Sequence, residues 1–271
     1  MEEISEMAGS FGNVADSYDR VRPGPAPAAV DWLLPARCEA AVDLAAGTGL
    51  FTRALLGRVP KITAVEPDGR MRAVLSGRTA GVRVLGGRAE GIPLPDSSVD
   101  AVFVSTAWHW FDPALAIPEI ARVLRDGGRL GVIWTSRDRA DDWVANLDLL
   151  RLSAVPAEAR DWADGEPRTA DQVREKLDRH HSVTLPPDAP FGRAQSESFT
   201  FTRTMDVNDV LDWLATNSVF ITASPAVRQA GLTRCRAALL AHSAGDSPGS
   251  GSRVEMPLRS WCWRADRLPR T

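Results

Sequence analysis

The chain has 271 residues, 44% of them hydrophobic, and a formal net charge of −3. This length can bury a sizeable core, as one large domain or one domain with a smaller appended part. The slight negative charge argues against a surface built to neutralise phosphates, so nucleic acid is not an expected partner. Apart from Lys61 and Lys176 the basic residues are arginines. Without clustering on one face, they read as the coding bias of a GC-rich genome rather than as a recognition surface. Residues 1–6 are acidic and lack the apolar segment of a secretory signal. No run approaches the roughly 20 apolar residues of a membrane span. Cys38, Cys235 and Cys262 lie far apart without metal-ligand spacing. The expectation is a soluble cytoplasmic chain with reduced thiols, no metal and no membrane partner, as a monomer or homodimer.

Ala40 to Ala45 reads as a short buried strand, followed by a Gly-containing turn and a helix from about Leu50 to Arg58. Residues 62–66 form a second strand, and Pro67-Asp68-Gly69 turns the chain into a helix through Met71, Val74 and Leu75. Residues 82–85 are a third strand, and residues 99–104 a strongly β-branched fourth. Asp112-Pro113 opens a helix as N-cap and first-turn proline, with Leu115, Ile117, Ile120, Val123 and Leu124 on its apolar face. Asp126-Gly127-Gly128 ends that helix, and residues 129–134 are the fifth strand. Past residue 135 the chain turns richer in charge, Trp and Pro, with helices expected near 141–152 and 169–178. Strands at 198–203 and 253–264 follow. Between them lie a helix capped near Asp206 and another starting near Ser224-Pro225, and residues 243–252 read as a surface loop. Short apolar strands alternating with helices predict an α/β fold. Its sheet is doubly wound, mostly parallel and seven-stranded, with an antiparallel last strand and a helical cap insertion.

The most informative segment is Val42-Asp43-Leu44-Ala45-Ala46-Gly47-Thr48-Gly49. It leaves a strand and opens a helix. Gly47 and Gly49 allow a sharp turn and close approach of backbone to a ligand, and the helix start presents unpaired N–H groups. Glu66 ends the next strand, where a carboxylate can accept both hydroxyls of a ribose. Together these features predict an adenosine-containing cofactor at the C-terminal edge of a Rossmann-like sheet. A nicotinamide or flavin site wants G-x-G-x-x-G, yet counting from Gly47 the third glycine position holds Thr52. A nucleoside joined to an amino acid has no pyrophosphate to cradle and fits better.

On these residues the chain resembles the class I S-adenosylmethionine-dependent methyltransferases, and is similar to their small-molecule, ubiquinone-biosynthesis-like and trans-aconitate-methyltransferase-like group. The resemblance runs over about residues 11–135. It is carried by Phe11 to Pro23, the Asp43 to Gly49 turn, Val65-Glu66-Pro67, Ala89-Glu90-x-Ile92-Pro93-Leu94, Trp108-His109-Trp110-Phe111-Asp112 and Ile120 to Gly128. It implies S-adenosylmethionine as cofactor, with S-adenosylhomocysteine as product. Asp43, Ala45, Gly47, Thr48 and Gly49 would then line the methionine end, and Glu66 would hold the ribose. Pro67 and Met71 would flank the adenine, Arg88, Ala89 and Glu90 would meet its edge, and Ser105 and Thr106 would face the sulfonium. Tyr18 and Arg22 would sit on an N-terminal lid. Two positions depart from the family pattern: Ala45 replaces a frequent Gly, and Arg88 stands where many relatives have Asp. The resulting division is a lid at 1–37, a cofactor-binding core at 38–135, a cap at 136–195 shaping the substrate pocket, and 196–271 completing the sheet.

Methyl transfer needs a base only if the acceptor must lose a proton. His109 is the candidate catalytic residue, between Trp108 and Trp110 on the ligand edge, and the near-neutral reference pKa of imidazole suits the task. The alternative is that the Trp-His-Trp segment shapes or packs the pocket and His109 makes only a hydrogen bond. Trp108, Trp110 and Trp143 are further candidates for the substrate pocket, with Trp162 and Trp213 behind them, while His180-His181 reads as exposed. The expected reaction is O-, N- or C-methylation of a small-molecule metabolite, possibly of natural-product biosynthesis in a high-GC bacterium. Two readings from other classes stay open: a methyltransferase-fold protein that binds the cofactor without methylating, and a nicotinamide-dependent dehydrogenase.

Overall fold

The computed structural model describes residues 19–153, 169–178, 181–216, 220, 223–243 and 252–270. In chain order its elements are α1 (Pro27–Leu33), β1 (Ala40–Leu44), α2 (Leu50–Leu55), β2 (Lys61–Val65), α3 (Gly69–Arg78), β3 (Arg83–Leu85) and β4 (Val99–Ser105). A 3₁₀ turn (Trp108–Trp110) leads to α4 (Pro113–Val123), β5 (Leu124–Arg137), α5 (Asp142–Ser153), α6 (Ala170–Asp178), β6 (Gln195–Asp206), α7 (Val207–Ala215), α8 (Pro225–His242) and β7 (Arg253–Asp266). The strands form one seven-stranded sheet in the order β3-β2-β1-β4-β5-β7-β6. The first five strands pair in parallel, and β7 runs antiparallel between β5 and β6. The strand order reverses at β1, which places a crevice between the C-terminal ends of β1 and β4, where ligands of open α/β sheets bind.

Both faces of the central strands are buried, which is why β1, β4 and β5 read as near-continuous apolar runs. Val42, Leu44, Val102, Val104, Leu130 and Val132 face one side with Ile117 and Ile120 of α4. Ala41, Phe103 and Ile133 face the other with Phe51 and Leu55 of α2 and with Ala29, Val30 and Leu33 of α1. A third cluster joins Val144 and Leu147 of α5 to Val210 and Leu214 of α7, Leu239 of α8 and Met256 of β7.

Two differences from the sequence reading stand out. Helix α1 falls within the expected lid, yet its Ala29, Val30 and Leu33 are buried in the core. Strand β5 is longer than expected at both ends. Its pairing with β4 slips between Val99 and Ala101, so residues 125–128 loop out while the strand continues. Its far end is carried to Arg137 by pairing with Leu258 of β7. The insertion between β5 and β6 is helical, as expected, and α5 packs on α7, α8 and β7 through the third cluster.

Candidate functional site

A cleft of about 1020 Å3 opens along the C-terminal ends of β1, β2, β4 and β5. This is at the upper end of the roughly 300–1,000 Å3 range of small-molecule sites.

The turn after β1 forms one wall. Ala45, Gly47 and Gly49 have φ of +55°, +58° and +87°, a left-handed region that glycine enters freely and alanine at a cost of about 1–2 kcal/mol. Ala45, Gly47 and Thr48 line the cleft. Gly49 does not; it is the N-cap of α2 and turns the chain. The Gly47 N–H donates to Glu66 Oε2 and the Asp68 N–H to Oε1, each at 2.9 Å. One carboxylate thus joins the turns after β1 and β2. Burial pushes the Glu66 acid upward, and these two N–H groups oppose that shift. Each oxygen keeps a further lone pair for a hydroxyl of a ligand.

Asp43 lies beneath the turn, not on the cleft surface, and is fully buried. Its Oδ2 accepts from the Thr52 hydroxyl at 2.5 Å, while Oδ1 has no hydrogen-bond partner and neither does the buried Thr48 Oγ1. Burial raises the Asp43 pKa to about 7 against the lowering effect of the Thr52 bond, and the Glu66 charge adds to the rise. Two orphaned buried oxygens under a ligand-facing turn suit a partner that brings donors of its own, as the amino-acid end of a nucleoside–amino acid ligand does.

Pro67 and Met71 line the cleft beside Glu66, with Arg88, Ala89 and Glu90 following β3. Arg88 is mostly exposed and stands 3.7 Å from Glu90, whose Oε1 accepts from the Asp112 N–H. Ser105 and Thr106 line the floor at the end of β4. Thr106 has φ +58° and is held by its N–H bond to Ile133 O at 2.8 Å. His109 and Trp110 line the cleft, their rings 4.5 Å apart. Arg22 reaches it from the segment before α1, its guanidinium donating to Thr216 Oγ1 and O at 3.3 Å each.

Some expected residues are placed elsewhere. Trp108 points into the core among the residues of β4 and α4. Trp143 stacks on His242 at 4.8 Å against the third cluster, because α5 turns its apolar face to α7 and α8. His181 is half-buried and stacks on Trp261 at 4.0 Å, away from the cleft. Tyr18, Trp162 and His180 lie outside the described residues. Among the described residues, none of 136–195 lines the cleft. Thr135, at the end of β5, and Trp213, on α7, do line it. Thr135 carried no sequence signal. Trp213 stood among the sequence candidates for the acceptor pocket.

Behind Trp213 the Arg137 guanidinium lies 4.6 Å from the ring centre. Arg137, Arg139 and Arg151 converge on the single carboxylate of Asp148 at 2.7, 2.8 and 3.0 Å, all four side chains being buried. Burial works against ionising Asp148, yet the three arginines outweigh it and hold the acid far below the usual carboxylate range.

A Rossmann-like sheet with this cleft at its switch point defines the class, a methyltransferase fold whose cofactor is S-adenosylmethionine. The methyltransferase-domain family model matches residues 42–132. An uncharacterized methyltransferase of Mycobacterium tuberculosis is 39% identical over 260 residues, covering 96% of each chain. The chain belongs to this methyltransferase family. A ubiquinone/menaquinone biosynthesis C-methyltransferase of Dinoroseobacter shibae is 27% identical over 72% of this chain and 86% of its own length. The solved structure of a protein described as a type II methyltransferase, from Anaeromyxobacter dehalogenans, superposes with a TM-score of 0.64. It is 24% identical and covers 92% of this chain and 99% of its own.

Proposed function

We propose that this protein transfers a methyl group from S-adenosylmethionine to an O, N or C atom of a small-molecule metabolite. The observation that carries the reading is the Glu66 carboxylate. It binds the Gly47 and Asp68 N–H groups at once and still faces the cleft with open lone pairs. In this reading Glu66 takes the ribose hydroxyls and the turn from Ala45 to Thr48 takes the methionine end, with Asp43 supporting it from beneath. Pro67 and Met71 flank the adenine, and Ala89, Arg88 and Glu90 meet its edge. Ser105 and Thr106 face the sulfonium. When bound, S-adenosylmethionine would supply an electrophilic methyl group to the acceptor. The chain's task is then mainly to position and to exclude water. Where the acceptor carries a proton, His109 on the cleft wall is the proposed base. The reading extends to a biosynthetic metabolite, and a gene standing apart from any pathway genes would count against that extension.

Calorimetric titration with S-adenosylhomocysteine tests the cofactor half of the proposal, with binding expected. Incubation with a methyl-labelled donor and a panel of hydroxyl, amine and carbon-acid acceptors tests the rest. Binding of the product without label transfer to any acceptor would make the cleft a binding module and overturn the transferase reading.

A further inference from the structure

Two carboxylates tie together the parts that carry the β1–β2 end of the cleft. Glu66 is one, joining the turns after β1 and β2 through the Gly47 and Asp68 N–H groups. Asp19 is the other, a buried residue in the segment before α1. Its Oδ1 accepts from Arg53 Nη2 of α2 at 2.7 Å, and its Oδ2 pairs at 2.6 Å with Arg78 Nη1 in the last turn of α3. These are the helices that follow the same two turns. Arg53 also acts on the first turn directly, since its Nη1 donates to the Thr48 carbonyl at 3.1 Å. Three residues of that turn, Ala45, Gly47 and Gly49, are left-handed, so its shape depends on the bonds that brace it. The Ala46 N–H donates to Val65 O, the Gly47 N–H to Glu66 and the Gly49 N–H to Ala46 O. The Arg53 bond braces the Thr48 carbonyl, and a planar guanidinium fork cannot turn away from it without giving up its charge-assisted bond to Asp19.

We propose that Asp19 is a positioning residue for the cofactor: acting through Arg53, it fixes the Thr48 carbonyl and with it the part of the turn that receives the amino-acid end. The inference rests on the methyltransferase reading above and adds Asp19 and Arg53 to that same site, though neither lines the cleft. Its consequence is selective. The nucleoside, which in that reading rests on Glu66, Pro67 and Met71, keeps its contacts when the Asp19–Arg53 pair is broken. The amino-acid end, which rests on the turn, loses a correctly set wall, and a displacement of even a fraction of an ångström weakens hydrogen bonds to it. The same segment is also tied to α7, where Arg20 pairs with Asp209 and Asp212. That second tie does not involve the turn and supplies the control.

The test is titration of the full chain with S-adenosylhomocysteine and with 5′-methylthioadenosine, which keeps the nucleoside and the sulfur but lacks the amino-acid end. In Asp19→Asn and in Arg53→Gln, affinity for S-adenosylhomocysteine is expected to fall on the order of tenfold, with affinity for 5′-methylthioadenosine unchanged within about twofold. Asp19→Glu is expected to recover part of the loss, and Arg20→Gln to leave both affinities within about twofold. The partly exposed Arg53 carries the test where Asp19→Asn does not fold. Equal loss of both ligands overturns the proposal, because Asp19 and Arg53 then only stabilise the region as a whole. So does undiminished affinity for S-adenosylhomocysteine in Arg53→Gln, and so does an Arg20→Gln chain that matches Asp19→Asn. All three leave the methyltransferase reading standing, since the wild type still binds the product. A wild-type chain that does not bind S-adenosylhomocysteine removes that reading and this inference together.

Discussion

The two ends of this cleft are built by different means. At the β1–β2 end the parts are main-chain N–H groups, left-handed turn residues and one carboxylate, all drawn from residues 43 to 68. At the far end the parts are side chains from three distant stretches: Arg22, Thr135 and Trp213, backed by an arginine cluster. A backbone-built end varies little with sequence and suits a ligand common to a whole family. A side-chain end can change one residue at a time.

Substitutions can break this contrast from either side. The largest expected effect is on stability at the far end. Asp148→Ala removes the carboxylate on which three buried guanidinium groups converge and should cost about 3–5 kcal/mol, read as a lower midpoint in urea unfolding. A loss under about 1 kcal/mol would mean that water already reaches the cluster. At the near end, Glu66→Ala removes the acceptor of two turn N–H groups together with the proposed ribose ligand. Affinity for S-adenosylhomocysteine should fall on the order of 100-fold, about 3 kcal/mol, by calorimetry. Undiminished affinity would move the nucleoside elsewhere in the cleft.

The next effect is a pH dependence. With its pKa raised to about 7, Asp43 stabilises the ligand-free fold fully below the ordinary carboxylate range, and that stabilisation is lost as pH rises through about 7. A ligand bearing an ammonium favours the ionised acid, so ligand affinity should run the other way. It should climb by up to about tenfold per pH unit below 7 and flatten above it. Asp43→Asn should abolish the slope, and a slope that persists would assign it to another group. The smallest effect belongs to Ala45→Gly. Relief of the left-handed strain is offset by the added freedom of the unfolded chain, for a net gain under about 1 kcal/mol. A clear destabilisation in the same unfolding assay would mean that the Ala45 methyl packs usefully.

Much of the near end was legible before any coordinates. A strand that stops at Asp43-Leu44, two glycines, a helix start and an acid closing the next strand lie close together in the chain, so their spacing carries their geometry. Asp112 was readable as an N-cap for the same reason, and its side chain accepts from the Ala114 N–H. The far end was not legible in this way. Trp143 and Trp213 both sit on helices with apolar faces, and nothing local says which one meets the cleft. The core role of α1 was also hidden, since seven residues opening at Pro27 make a short pattern inside a Pro-rich stretch.

Sequence by itself determined the alternation of buried strands and helices, the bend after β1 and the acid at the end of β2. Each depends on neighbours within one or two elements, where backbone preference and hydrophobic period act directly. Only the tertiary structure decided that Asp43 would lie beneath the bend, that Trp213 rather than Trp143 would reach the ligand edge, and that three arginines would gather on Asp148. The place of Trp213 depends on how β7 inserts between β5 and β6 and on where α5, α7 and α8 pack against it; the bonds of Asp43 and Asp148 span only 3 to 11 positions, but which side chains end up buried together is settled by the packing of whole elements.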